Sequence, residues 1–149
     1  MYQKILVPLD GSATSTRGLD EAIKLAKAMG SEIRLIHVVN ELMIVASYEG
    51  TIYSGELVEA LKESGRKILE QARQTVADAG VQVSTELLEA HGGQAGTAIV
   101  HDAAQCAADI IVLGTHGRRG LSRLVMGSDA EQVVRQATVP VLLVRRHEP

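Results

Sequence analysis

Residues 114–128 read GTHGRRGLSRLVMGS, between the apolar run Ile110–Leu113 and a helical pattern over Asp129–Ala137. Gly114, Gly117 and Gly127 space the segment, Ser128 follows the last glycine, and Arg118, Arg119 and Arg123 lie between them. A strand that runs through such a loop into a helix suits an anion. The helix N-terminus presents unpaired N–H groups and a partial positive charge. Glycine lets the backbone approach a phosphate closely, because no Cβ intervenes. Ser128 in the capping position would accept a backbone N–H, which is worth about 1 kcal/mol. Capping alone does not require three spaced glycines, so phosphate contact is the stronger reading. The arginines can screen phosphates, although solvated charge is the commoner state on an exposed loop.

The elements that must position this loop alternate in type. Lys4–Leu9 is a β-branched-rich buried strand. A helix capped by Ser12 or Ser15 reaches Met29, with Leu19, Ala22, Ile23, Ala26 and Met29 on one face and Gly30 just past its end. Glu32–Val39 is a strand, and a longer helix over Glu56–Ala79 buries Val58, Leu61, Ile68, Leu69, Ala72 and Val76. Val81–Leu87 alternates apolar and polar, which fits an edge strand. Thr97–Ala107 is a helix with Ile99, Val100, Ala103 and Ala104 inward. Asp109–Leu113 is an interior strand, Asp129–Ala137 the last helix and Val139–Val144 the last strand. The order β-α-β-α-β-α-β-α-β implies an α/β fold, a parallel sheet with helices on both faces. Asn40–Gly55 interrupts it as a long loop carrying Tyr48 and Tyr53, either a lid or interface or a plain surface excursion.

Open parallel sheets bind ligands beyond the carboxyl ends of their strands, where strand order reverses. That gathers Asp10–Ser12, His37–Val39, His91–Gly93 and Gly114–Ser128 on one rim. Asp10 can ligate Mg²⁺ bridging phosphates, against a plainer reading as turn chemistry. His37, His91 and His116 fall near the same rim but lack the close spacing of a metal site; His37 reads better as a hydrogen-bonded strand end. Cys106 reads as a small buried hydrophobe.

Composition narrows the classes. A net charge of −3 disfavours nucleic acid as the main partner. Phe and Trp are absent and Tyr2, Tyr48 and Tyr53 are the only aromatics, so a base-stacking surface is not expected. A lone cysteine forms no internal disulfide, which suits a reducing compartment. Ile5–Leu9 is too short for a signal peptide, and no segment nears the ~18 apolar residues of a membrane span, so a soluble cytoplasmic protein is expected, with no membrane partner. There is no GxxxxGK[ST] lysine, and no group is clearly placed to orient an attacking water, so efficient catalysis is not expected.

The pattern Gly114-x2-Gly117-x9-Gly127-Ser128, placed between a strand and the last helix, resembles the nucleotide-binding signature of ATP-binding universal stress proteins. The N-terminal KILVPLDGS and C-terminal VPVLLVR resemble that family's flanking strands, so the resemblance spans essentially the whole chain. It implies one domain over residues 1–149 and a five-stranded parallel sheet in the order 3-2-1-4-5, of the adenine nucleotide alpha hydrolase-like type. It implies ATP, with Mg²⁺, as the cofactor. Gly114 and Gly117 would line the loop against ribose and phosphates. Gly127 and Ser128 would offer N–H groups and a hydroxyl to the phosphate chain. Asp10 would lie near the nucleotide through a metal ion, and Val38 against adenine. Pro8, Ser12, His116, Arg118 and Asp129 complete the implied set of contacts. The resemblance further implies a homodimer through the fifth strand, a role in stress response or signalling, and at most slow hydrolysis or self-phosphorylation. After the third strand the family often has Gly, then Pro two residues on, then an apolar residue four further; here Gly93, Ala95 and Ile99 keep that register without the proline. A dimeric interaction scaffold that binds no nucleotide is the alternative this departure motivates.

Overall fold

The computed structural model describes residues 1–40, 55–90, 94–115 and 126–146. Five strands, β1 (Lys4–Pro8), β2 (Glu32–Asn40), β3 (Val83–Ala90), β4 (Ile110–Gly114) and β5 (Val141–Val144), alternate with helices. The helices are α1 (Ala13–Met29), α2 (Gly55–Asp78), α3 (Ala95–Gln105) and α4 (Ser128–Gln136). The sheet is parallel in the order β3-β2-β1-β4-β5, so β1 is central and β3 and β5 are the edges.

Alternate residues of each strand feed two cores. Ile5, Val7, Ile33, Leu35 and Val112 face α1 and α2 and pack with Leu19, Ala22, Leu69 and Val76. Leu6, Ile36, Ile111 and Leu113 face α3 and α4 and pack with Ile99, Ala103, Ala130 and Val133. Both faces of β1 are buried, with Ile5, Leu6 and Val7 each 0% exposed, which is why its sequence is continuously apolar. With no Phe or Trp available, aliphatic side chains fill both layers.

Ser12 caps α1, its Oγ accepting the Ser15 N–H at 3.1 Å. Gly30 ends that helix at φ 71°, a left-handed conformation that side chains with a Cβ resist. Met29 is exposed rather than inward because it lies past the last core contact of α1. Strand β3 begins two residues later than its alternation predicts: the Val81 N–H still bonds Val76 O at the exit of α2. Strand β5 likewise begins after Pro140, which has no N–H to donate. Helix α3 starts at Ala95 and stops at Gln105, and its inward face carries Asp102 while Ala104 is exposed.

Asp102 is inward because Arg34 of β2 meets it there. Arg34 Nε and Nη2 each donate to a different Asp102 oxygen at 2.8 Å, with the two side chains 19% and 8% exposed. The paired carboxylate holds the Arg34 pKa above its ordinary value, mainly through these bonds and against the effect of burial. Removing one partner from a buried pair leaves a desolvated charge. Asp102→Ala is expected to cost about 3 kcal/mol in chemical denaturation, and a joint Arg34→Met/Asp102→Leu replacement to recover most of that loss.

Candidate functional site

Strand order reverses between β1 and β4. Those two strands pair at Ile5↔Ile110 and Leu6↔Ile111. On either side the ladders continue further toward the carboxyl ends: β1–β2 to Pro8↔Ile36, and β4–β5 to Gly114↔Val144. The two central strands therefore part near the rim, and a crevice between neighbouring parallel strands is where this architecture accepts ligands.

One wall is the exit of β1. The Leu9 N–H bonds Ile36 O at 2.8 Å, extending the β1–β2 ladder by one residue. His37 Nδ1 lies 2.7 Å from Leu9 O. Asp10 follows, and its Oδ1 accepts the Ser12 N–H at 2.8 Å. Pro8 is half-buried at the end of β1, and Val38 is half-buried on the α3–α4 face of the sheet.

The opposite wall is the exit of β4 and the start of α4. A Cβ at Gly114 would stand 2.6 Å from Thr14 Cγ2 and 2.9 Å from the Thr14 carbonyl carbon and oxygen. Gly114 is thus required by the close approach of α1, whatever its part in a ligand site. Thr115 donates its N–H to Val144 O at 3.0 Å, and its own carbonyl accepts the Gly127 N–H at 2.7 Å. That last bond closes the neck of the loop and corrects an expectation: the Gly127 N–H is committed to Thr115. The next three N–H groups, of Ser128, Asp129 and Ala130, open α4 and precede its i−4 ladder. A second correction concerns Ser128. The cap of α4 is Gly127, with no side-chain capping bond, and Ser128 is the exposed first helical residue. Gly127 has φ −59° and ψ 151°, angles open to any residue, so its backbone conformation does not demand glycine.

Asp129 projects toward the start of α3. Partial burial and the neighbouring Asp10 carboxylate raise its pKa, opposed by the hydrogen bond it accepts from the Gly96 N–H. The helices meet closely there, since a Cβ at Gly96 would fall 2.5 Å from Gln132 Cβ and 2.9 Å from Asp129 O. Sequence reasoning missed this joint and the Thr14–Gly114 contact. Gly18 and Gly96 carried the signal. Glycine inside a helix is disfavoured by about 1 kcal/mol against alanine, so it marks a close approach.

The structure thus brings Pro8, Asp10, Ser12 and Val38 to the same rim as Gly114, Gly127, Ser128 and Asp129. His116, Gly117, Arg118, Arg119 and Arg123 lie outside the described residues, as do His91–Gly93 and residues 41–54. Among the described residues no cluster of three or more metal-ligating side chains occurs. His37 is buried and bonded to Leu9 O, as a strand-end histidine. Cys106 is half-buried at the end of α3. Among the described residues no helix is long and apolar enough to cross a membrane.

Gly114→Ala is expected to push the first turn of α1 off β4 and to cost roughly 1–3 kcal/mol, the usual range for overpacking. Thermal unfolding of the variant checks this.

Comparison with known proteins agrees with the architecture. The Universal stress protein family matches residues 1–145. Universal stress protein MJ0531 of Methanocaldococcus jannaschii is 38% identical over 149 residues, covering 98% of this chain and 84% of its own length. The solved structure of MJ0577, a universal stress protein of the same organism, superposes with a TM-score of 0.86 at 30% identity, over 100% of this chain and 99% of that one. A universal stress protein from Archaeoglobus fulgidus, solved in complex with dAMP, shares the fold at a TM-score of 0.67 and 24% identity, over 96% and 98% of the two chains. The five-stranded order and a match over nearly every residue leave one assignment: this chain belongs to the universal stress protein family.

Proposed function

We propose that this chain is an ATP-binding stress-response or signalling protein of the cytoplasm, acting as one domain over residues 1–149 and holding Mg·ATP in the crevice between β1 and β4. The observation that carries the reading is the opening of α4 onto that crevice. Three successive N–H groups, at Ser128, Asp129 and Ala130, stand at the positive end of a helix opposite Asp10. The phosphates would lie on that helix end, with the loop through His116, Gly117 and Arg118 closing over them. Pro8, Ser12 and Val38 would contact the nucleoside side of the site. A relative of the same fold that holds dAMP supports an adenine nucleotide. Asp10 and Asp129 put two carboxylates at the phosphate end, and a divalent cation there would turn their repulsion of a polyphosphate into attraction. Neither nucleic acid nor membrane enters this reading, and turnover of ATP is at most slow.

Protein stripped of ligand is expected to bind one Mg·ATP per subunit in calorimetry. Gly127→Glu introduces no backbone strain and sets a carboxylate where a phosphate would sit. At about 4 Å that repulsion is worth about 4 kcal/mol at an effective dielectric near 20, close to a thousandfold in affinity. A folded Gly127→Glu protein that binds Mg·ATP like the parent contradicts the site. Absence of any ATP-dependent rise in melting temperature favours the nucleotide-free scaffold, because a ligand of the folded state must stabilise it.

The assembly we propose is a homodimer through β5. That strand is an edge, with Leu142 41% exposed and Val141 and Leu143 half-buried, and an uncovered apolar edge invites pairing. Sedimentation equilibrium is expected to return twice the mass of 15.9 kDa. A monomer mass independent of concentration excludes this dimer.

A further inference from the structure

Residue Leu9 is held twice by β2. Its N–H bonds Ile36 O at 2.8 Å, and its carbonyl lies 2.7 Å from His37 Nδ1. A carbonyl only accepts, so Nδ1 carries the proton and donates it. The ring is 9% exposed, on the face of β2 that meets α2. Helix α2 makes room for it with Gly65, where a Cβ would stand 2.5 Å from His37 Cδ2 and 3.1 Å from Nε2. This clamp lies past the paired residues of β1 and β4, where the sheet opens. The next residue is Asp10, and the Ser12 N–H bonds its carboxylate at 2.8 Å.

We propose that His37 is a positioning residue for Asp10: its Nδ1–H fixes the Leu9 carbonyl, and through that peptide it aims the Asp10 carboxylate along the crevice. The use made of Asp10 rests on the nucleotide reading above, whereas the positioning belongs to the unliganded chain.

Two measurements separate these claims. The first is hydrogen exchange of the Ser12 amide in the ligand-free protein. His37→Leu keeps bulk and removes the donor, and is expected to speed that exchange about tenfold, the worth of one ordinary hydrogen bond. His37→Asn places an amide donor within reach of the Nδ1 position and is expected to restore protection, while His37→Gln, whose amide reaches the Nε2 position, is not. Should His37→Leu fail to fold, the Asn and Gln pair decides the matter. The second measurement is Mg·ATP affinity in a double-mutant cycle. His37→Leu is expected to weaken binding about tenfold in the parent and less than about threefold in Asp10→Asn, which leaves no carboxylate to aim. Unchanged Ser12 exchange in His37→Leu overturns the proposal, as does equal loss of affinity in both backgrounds, the mark of a merely structural histidine. If the parent protein binds no Mg·ATP, the nucleotide reading fails and the exchange result still judges His37.

Discussion

The close approach of α1 to the end of β4 sets the geometry of the rim. Gly114 admits the backbone of Thr14 on one side, and a Cβ at Gly18 would already lie 3.4 Å from Gly114 N. Gly114 thus removes the side chain that would hold helix and strand apart, and Gly18 lies on the same contact. The turn carrying Asp10 cannot move independently of this contact, because Asp10 bonds Ser12 and Ser12 caps the helix to which Thr14 belongs. The separation between Asp10 and the start of α4 is therefore fixed by packing behind the site. Interiors at crystal-like density transmit such constraints, since a shift at one contact finds no free volume to absorb it.

Charge on the rim is mixed rather than uniformly positive. The N-termini of α3 and α4 both open there, and each brings N–H groups with partial positive charge. Asp129 offsets part of that field: it belongs to the first turn of α4 and accepts the Gly96 N–H of α3. One carboxylate thus ties two helix ends together and fixes their mutual angle, while its repulsion from Asp10 raises its own pKa. A bare polyphosphate would meet donors and acids at once. A cation-bound polyphosphate would meet ligands for both its charges, which is the physical basis of the proposed Mg·ATP.

Most of the fold was legible in the sequence because the two periodicities are clean here. Continuous apolar runs marked the buried strands, and Ser12 and Gly30 punctuated α1 in the manner their chemistry requires. Strand order was different. Periodicity gives alternation and parallel pairing, but the order 3-2-1-4-5 followed from the family resemblance and agrees with the observed sheet. Local preference and the structure differ at two places. Capping preference points to Ser128 as the N-cap, whereas the bond from the Gly127 N–H to Thr115 O accompanies a cap at Gly127; and Arg34 draws Asp102 inward on a helix face that apolar periodicity assigns to Ile99, Val100, Ala103 and Ala104. Gly65 and Gly96 each mark a helix contact with no room for a Cβ, a feature that hydrophobic periodicity does not register.

The strongest polar anchor lies away from the rim. Arg34 and Asp102 join β2 to α3 below the level of His37 and Val38, and Lys4 adds a bond to the Cys106 carbonyl at 3.0 Å and an ion pair with Glu32 at 3.0 Å. These contacts tie one face of the sheet's amino end to α3 and join β1 to β2. The carboxyl end around the opening is held by backbone bonds, Leu9 to Ile36, Thr115 to Val144 and Gly127 to Thr115, and by the side-chain bonds of His37 to Leu9 O and of Asp10 to the Ser12 N–H. Side-chain ion pairs there would fill the crevice and compete with any anion for the helix ends. The Lys62–Glu89 ion pair at this end, 2.7 Å long, lies on the β3 edge and away from the crevice between β1 and β4. The Arg34–Asp102 anchor and the opening between β1 and β4 thus sit toward opposite ends of the same sheet.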